Sequence, residues 1–177
     1  MVLKESLIGL LKQKTIDKIS VTELCEVADL NRSTFYAYFM DPFDLLHQIE
    51  RDLLNDLNIY IGDTTFIADQ TKTFQLIVRI FEYIAGNADL CLVLLGENGD
   101  IAFLQELLAY VQQLSAREWA GVASVDAELV DYLSLFGVNG CIGVVQKWLQ
   151  TGMRRTPQEM AEIIMKLMYQ GLTAYLS

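Results

Sequence analysis

The stretch Asn31-Arg32-Ser33-Thr34-Phe35-Tyr36-Ala37-Tyr38-Phe39 concentrates hydrogen-bonding side chains around a small apolar set. At helical spacing Leu30, Phe35 and Phe39 fall on one side as anchors, and Arg32, Ser33, Thr34, Tyr36, Ala37 and Tyr38 are left largely outward. The outward side then holds two tyrosines and only one charge, which is unusual for a solvated helix face. A guanidinium pairs with the O6 and N7 edge of guanine, Ser and Thr hydroxyls bond several base edges, and tyrosine hydroxyls commonly bond phosphates. These types at this spacing suit recognition of a nucleic-acid surface through a few placed hydrogen bonds.

Such a face needs elements to hold it. Ser20-Val21-Thr22-Glu23 reads as a capping box, in which the Ser20 hydroxyl takes the Glu23 amide and the Glu23 carboxylate reaches back. It predicts a short helix burying Leu24 and Ala28. Asp29-Leu30-Asn31 then makes a turn, and Asn31 caps a second short helix from Arg32 to Phe39. Asp41-Pro42-Phe43-Asp44 restarts the chain with Asp41 as cap and Pro42 at the first helical position. The helix that follows runs through Leu45, Leu46, Ile49, Leu53 and Leu57, to about Ile61. An earlier helix carries Leu3, Leu7, Leu10 and Leu11. Two short helices across a tight turn, with support on either side, describe a helix-turn-helix whose second helix can enter a DNA major groove.

Downstream, helical periodicity continues near Thr71 to Gly86, Asp89 to Leu95, Ile101 to Trp119, Ala127 to Gln150 and Pro157 to Tyr175. Thr156-Pro157-Gln158-Glu159 is a second capping box. Gly96-Glu97-Asn98-Gly99-Asp100 reads as a turn; no Gly-Lys-Ser/Thr follows it, so it is not a phosphate loop. The expectation is an all-α protein of about nine helices, divided into a three-helix DNA-binding domain at residues 1–47 and a helical ligand-binding and dimerisation domain at residues 48–177.

Composition narrows the rest. The 177 residues are 53% hydrophobic with 2 prolines, which is too apolar for disorder. The net charge is −10; residues 1–50 hold 5 Lys and Arg against 8 Asp and Glu, a net of −3. An acidic chain is a poor non-specific binder of polyanions, because that binding depends on clustered cations releasing counterions. Cys25, Cys91 and Cys141 are odd in number and far apart, which reads as buried thiols in a reducing cytoplasm. Charges at Lys4, Glu5, Lys12 and Lys14 argue against a signal peptide. Asp131, Asn139, Gln146 and Lys147 make Leu129 to Leu149 a buried helix rather than a membrane span. With His47 as the single histidine, no Ser-His-Asp or Cys-His arrangement is identifiable, and Glu50 alone beside it is no metal site. No enzyme activity, cofactor or metal is expected.

The residues Val21-Thr22-Glu23-Leu24-Cys25-Glu26-Val27-Ala28, then Asn31 to Phe39, then Asp44-Leu45-Leu46 resemble the TetR family of transcriptional regulators, of TetR/AcrR type. Phe81-x-Tyr83-Ile84-x-x-Asn87, Gly137-x-x-Gly140, Trp148-Leu149-x-x-Gly152-Met153 and Thr156-Pro157 look like the C-terminal regulatory domain of a Firmicutes-type subgroup. The resemblance implies a homodimer that binds a palindromic double-stranded DNA operator and senses a small molecule. Carried onto this chain, it places DNA contacts on Thr22, Arg32, Ser33, Thr34, Tyr36 and Tyr38. Family members often carry lysines after the Tyr/His-Phe pair and at the start of the next helix, where this chain has Met40, Pro42 and Phe43. Lys12, Lys14 and Lys18 are the cations left to compensate. A helix-turn-helix module regulated by a partner protein, with DNA binding weakened or lost, is the alternative.

The segment Asp126 to Gln150 has apolar residues on more than one face, which suggests burial against a second subunit as well as its own core. Gly137, Gly140 and Gly143 each cost helix stability, roughly 0.5–1 kcal/mol against Ala, and close approach of another helix would explain them. The expected interface comprises Leu133, Gly137, Gly140, Val144 and Trp148, with Ile164, Leu167 and Met168 of the last helix. An effector pocket is expected among the middle helices, lined by Phe74, Phe81, Ile84, Leu107, Tyr110, Val111, Trp119 and Phe136. Few charges lie there, so the effector should be apolar or aromatic.

Overall fold

Apolar residues at helical spacing, each run opened by a capping side chain, determine the architecture. The computed structural model describes residues 2–61, 69–96, 99–119 and 126–172, and the side chains of all of these except 118, 119, 127 and 172. The described elements are α1 (Val2–Leu11), a 3-10 turn (Ile16–Lys18), α2 (Val21–Val27), α3 (Arg32–Tyr36), α4 (Pro42–Ile61), α5 (Gln70–Gly86), α6 (Ala88–Leu94), α7 (Ile101–Trp119), α8 (Ala127–Gln150) and α9 (Pro157–Leu172). The fold is all-α, with nine α-helices and no strand among the described residues.

Packing divides the chain into two units. The first comprises Met1–Leu57 with Asp89–Leu104, and the second Asn58–Ala88 with Gln105–Ser177. The first unit is built on Leu7, Leu11, Leu24, Phe35, Ile49 and Leu94, all essentially excluded from water. In the second unit α5 packs along α9. Phe81 meets Trp148 edge-on at 5.1 Å, and the indole N–H of Trp148 donates to the Arg155 carbonyl at 3.0 Å.

The Arg155 carbonyl belongs to the α8–α9 connection, which also holds two left-handed residues, Gly152 (φ 77°) and Met153 (φ 52°). There the Met153 amide returns to the Trp148 carbonyl at 2.9 Å and the Gly152 amide to Leu149 at 3.0 Å, closing α8 in a Schellman pattern. The predicted capping box then opens α9. The Thr156 amide donates to the Glu159 carboxylate at 2.7 Å, and the Glu159 amide to the Thr156 hydroxyl at 3.2 Å. These bonds, with Arg155 nearby, hold the Glu159 carboxyl below its ordinary pKa. The box therefore stabilises fully above the ordinary glutamate range and loses its contribution as pH falls through the lowered folded value. Thr156→Ala is expected to cost about 1 kcal/mol, read as a lower urea midpoint with unchanged slope.

Three departures from the sequence reading have physical causes. The first capping box is half formed: Ser20 Oγ accepts from the Glu23 amide at 3.2 Å, but the Glu23 carboxylate is taken by Lys14. The second short helix, expected to run to about Phe39, ends at Tyr36, where the Tyr38 amide closes a tighter turn onto the Phe35 carbonyl at 3.0 Å. Helix α8 is long and apolar enough to cross a membrane by length and composition, yet only 22% of that stretch is buried within this chain. The expected burial is supplied on one side only. Glu97, Asn98 and the last helix beyond Leu172 lie outside the described residues.

Candidate nucleic-acid interface

Helix α3 has only five residues, too few to be stable alone, so its neighbours must position it. Two residues past the end of α2, Asp29 with a φ of 51° reverses the chain. The Leu30 amide bonds the Cys25 carbonyl at 2.9 Å and the Asp29 amide the Glu26 carbonyl at 3.3 Å, again a Schellman closure. Asn31 Oδ1 then accepts the Ser33 amide at 3.2 Å and starts α3. Phe35 is 0% exposed and pins α3 to the core; its ring packs edge-on to Tyr36 at 5.6 Å and tilted to Phe39 at 5.8 Å. On the far side of α3, Asp41 Oδ1 accepts the Asp44 amide at 2.9 Å and Asp44 Oδ2 the Met40 amide at 3.0 Å, fixing the start of α4.

With Phe35 inward, the opposite face is forced outward. Thr22, Arg32, Ser33 and Thr34 are exposed, and Tyr36 and Tyr38 are 58% and 75% exposed. Among the described residues the side-chain polar atoms of Arg32, Ser33, Thr34, Tyr36 and Tyr38 make no hydrogen bond, so their donors and acceptors are available to an external surface. Met40 and Phe43, where cations were missing from the pattern, are exposed as well. Two of the three candidate compensating lysines are already engaged. Lys12 pairs with Asp89 at 2.7 Å, and Lys14 with Glu23. Lys18 is exposed and makes no ion pair among the described residues. The face is one of placed hydrogen-bonding groups around a single guanidinium.

The expected effector-lining residues fall into different settings. Phe81, Ile84 and Leu107 are buried in the second unit, and Phe74, Tyr110 and Val111 are half-buried. Tyr110 donates its hydroxyl to Asn58 at 2.8 Å. Phe136 is 77% exposed, and the Trp119 side chain lies outside the described set. An open groove of about 360 Å³ runs between α5 and α9, lined by Gln70, Thr71, Phe74, Glu162, Met165 and Lys166, and shares only Phe74 with the expected set.

The expected interface residues divide likewise. Leu133, Trp148 and Ile164 are buried within the chain, Gly137, Val144 and Met168 are half-buried, Gly140 is exposed and Leu167 is 59% exposed. Tyr132 and Leu135, which are not among the expected interface residues, join Phe136 on the exposed apolar side of α8. The signal was present in the phase of the helix: Val130, Ser134, Val138, Val145 and Trp148 occupy the core side, which leaves Tyr132, Phe136 and Asn139 on the other. Of the cysteines expected to be buried, Cys25 and Cys91 are buried and Cys141 is half-buried; burial raises the Cys141 thiol and pushes Cys91 up to about 12.

Residues 71–170 match a TetR C-terminal family described as a transcriptional regulator C-terminal region. No curated protein matches the sequence at a significant level. Among solved structures, a TetR transcriptional regulator from Streptococcus agalactiae 2603V is similar, with a TM-score of 0.67 at 22% identity over 94% of this chain and 91% of that one. The fatty acid degradation regulator FadR from Bacillus halodurans is similar with a TM-score of 0.71 at 13% identity over 97% and 94%. The dihydroxyacetone kinase operon activator DhaS gives 0.57 at 15% identity over 99% and 97%.

Proposed function

Because the chain belongs to the TetR family of transcriptional regulators, we propose that it is a cytoplasmic, homodimeric repressor that binds a palindromic operator and is released by an apolar or aromatic small molecule. The observation that carries this reading is the outward face of α3, where exposed Arg32, Ser33, Thr34, Tyr36 and Tyr38 are held in register by a fully buried Phe35. Arg32 reads a guanine, the hydroxyls of Ser33 and Thr34 meet base edges or phosphates, and Thr22, Tyr36 and Tyr38 bond the backbone. Residues 1–47 read DNA and residues 48–177 dimerise and sense the effector.

The exposed side of α8, with Tyr132, Leu135, Phe136 and Gly140, and Leu167 of α9 supply the interface. Gly137, Gly140 and Gly143 have open space where a Cβ would stand, as a close-packed partner helix requires. In a two-fold dimer the reading helices must lie about 34–36 Å apart to enter successive major grooves. An effector in the second unit that favours another setting of α4 changes that spacing and shifts the population away from the DNA-binding state.

The reading is tested by selecting duplexes from a random library with the purified protein, then titrating Arg32→Ala against the selected site. A palindromic consensus is expected, and the variant should bind about 5–150-fold more weakly while losing discrimination at one base pair of each half-site. Uniform weakening on every sequence would remove Arg32 from base reading. The exposed Tyr36, Tyr38, Met40 and Phe43, with few cations around them, favour one second reading, a module docking on a partner protein. It predicts that no duplex is enriched from the library.

A further inference from the structure

Three side chains outside the reading face come together in the first unit. Glu50, in the middle of α4, is 5% exposed, and its Oε2 stands 2.9 Å from Nδ1 of half-exposed His47 one turn earlier. Asp100, fifty residues further on, closes the turn before α7 and accepts the Ala102 amide at 2.8 Å. One donor atom from each of His47, Glu50 and Asp100 lies within 4.8 Å of the other two. Sequence spacing could pair His47 only with Glu50, and the fold adds the third donor.

Two glycines flank the approach to Asp100, and neither position accepts another residue. A Cβ on Gly96 would stand 2.4 Å from the Leu92 carbonyl oxygen, and one on Gly99 2.4 Å from that of Leu94, so only glycine fits at either position. Leu90, Cys91, Val93 and Leu94 are buried and anchor α6, the base of that turn. Two carboxylates are thereby held close together, one of them almost fully buried, where like charges repel and water screens poorly. Asp100 makes no ion pair with Lys or Arg among the described residues.

We propose that His47, Glu50 and Asp100 form a binding site for a first-row transition-metal dication, such as Zn²⁺ or Mn²⁺, that clasps α4 to the start of α7 within the first unit. One imidazole nitrogen and two carboxylate oxygens suit these ions better than Ca²⁺ or Mg²⁺, which take oxygen alone. Donors about 2.1 Å from a cation stand roughly 3–4 Å apart, so closing from 4.8 Å takes rotamer-scale movement. The exposed side of His47 provides entry and leaves water to fill the remaining positions.

The test uses the chelator-stripped full chain without DNA, so its outcome is separate from that of the regulator reading. Isothermal titration with ZnCl₂ and MnCl₂ should show one ion bound per chain for at least one metal, and a saturating excess should raise Tm by roughly 5–10 °C, reversibly with chelator. His47→Ala and Asp100→Asn should each weaken binding at least about tenfold while keeping wild-type helical circular dichroism, since Asn can still cap Ala102. No uptake of either metal at about 1 mM, or binding by both variants as tight as wild type, would overturn the proposal.

Discussion

Replacing Phe35 by Ala is expected to destabilise the first unit by about 3–5 kcal/mol. Phe35 is fully buried and is the one residue of α3 that reaches the core. Truncation removes its transfer free energy and leaves a cavity in the first unit's core, whose other members, Leu7, Leu11, Leu24 and Ile49, are likewise almost fully buried. Domains of this size are stable by about 5–15 kcal/mol, so the loss consumes a large share of the total. Operator binding should fall in step, because a five-residue helix without its anchor has no fixed orientation. Phe35→Leu, which retains most of the volume, should cost far less. Urea denaturation followed by circular dichroism reads both variants, and a Phe35→Ala loss below about 1 kcal/mol would mean that α3 is not held through the core.

Gly140→Leu carries the second large effect, and it separates the single chain from the dimer. A Cβ at Gly140 meets nothing within 4 Å in its own chain, so the substitution leaves that chain intact and raises its helix propensity by roughly 0.8 kcal/mol. In a two-fold interface the added side chain appears twice, each copy facing the partner's α8. Overpacking of about 1–3 kcal/mol per site then doubles to about 2–6 kcal/mol, raising the dimer Kd by roughly 30-fold to 10⁴-fold. Sedimentation equilibrium of wild type and variant measures this directly. An unchanged dimer would move the interface away from this face of α8, and a variant that unfolds would show that Gly140 is packed within its own chain.

The elements and their caps were legible because they are local. Ser20, Asn31, Asp41 and Thr156 each announce a helix start within three residues of sequence, and each accepts the amide bond expected of it. What failed was set by partners distant in sequence. The Glu23 carboxylate goes to Lys14 instead of closing its own box, Lys12 goes to Asp89, and Asp100 reaches the vicinity of His47 and Glu50. The same holds for α8, whose apolar residues were recognised but not sorted. Which of its sides faces the core depends on where α5 and α9 pack, so Trp148 and Leu133 proved internal and Phe136 external. The outward placement of Arg32, Ser33, Thr34, Tyr36 and Tyr38 followed from the phase of Phe35, because a short helix with one buried anchor has little freedom to rotate.

The reading helices of a two-fold dimer must meet major grooves on one side of the duplex. Fluorescence anisotropy should therefore compare the selected palindrome with the same half-sites separated by about five further base pairs, half a turn. At low salt, where a face with a single guanidinium retains most of its affinity, the account predicts tight binding of the intact palindrome as one dimer and near-complete loss on the respaced site. Equal affinity for both duplexes, or no binding of either by a correctly folded dimer, would contradict it.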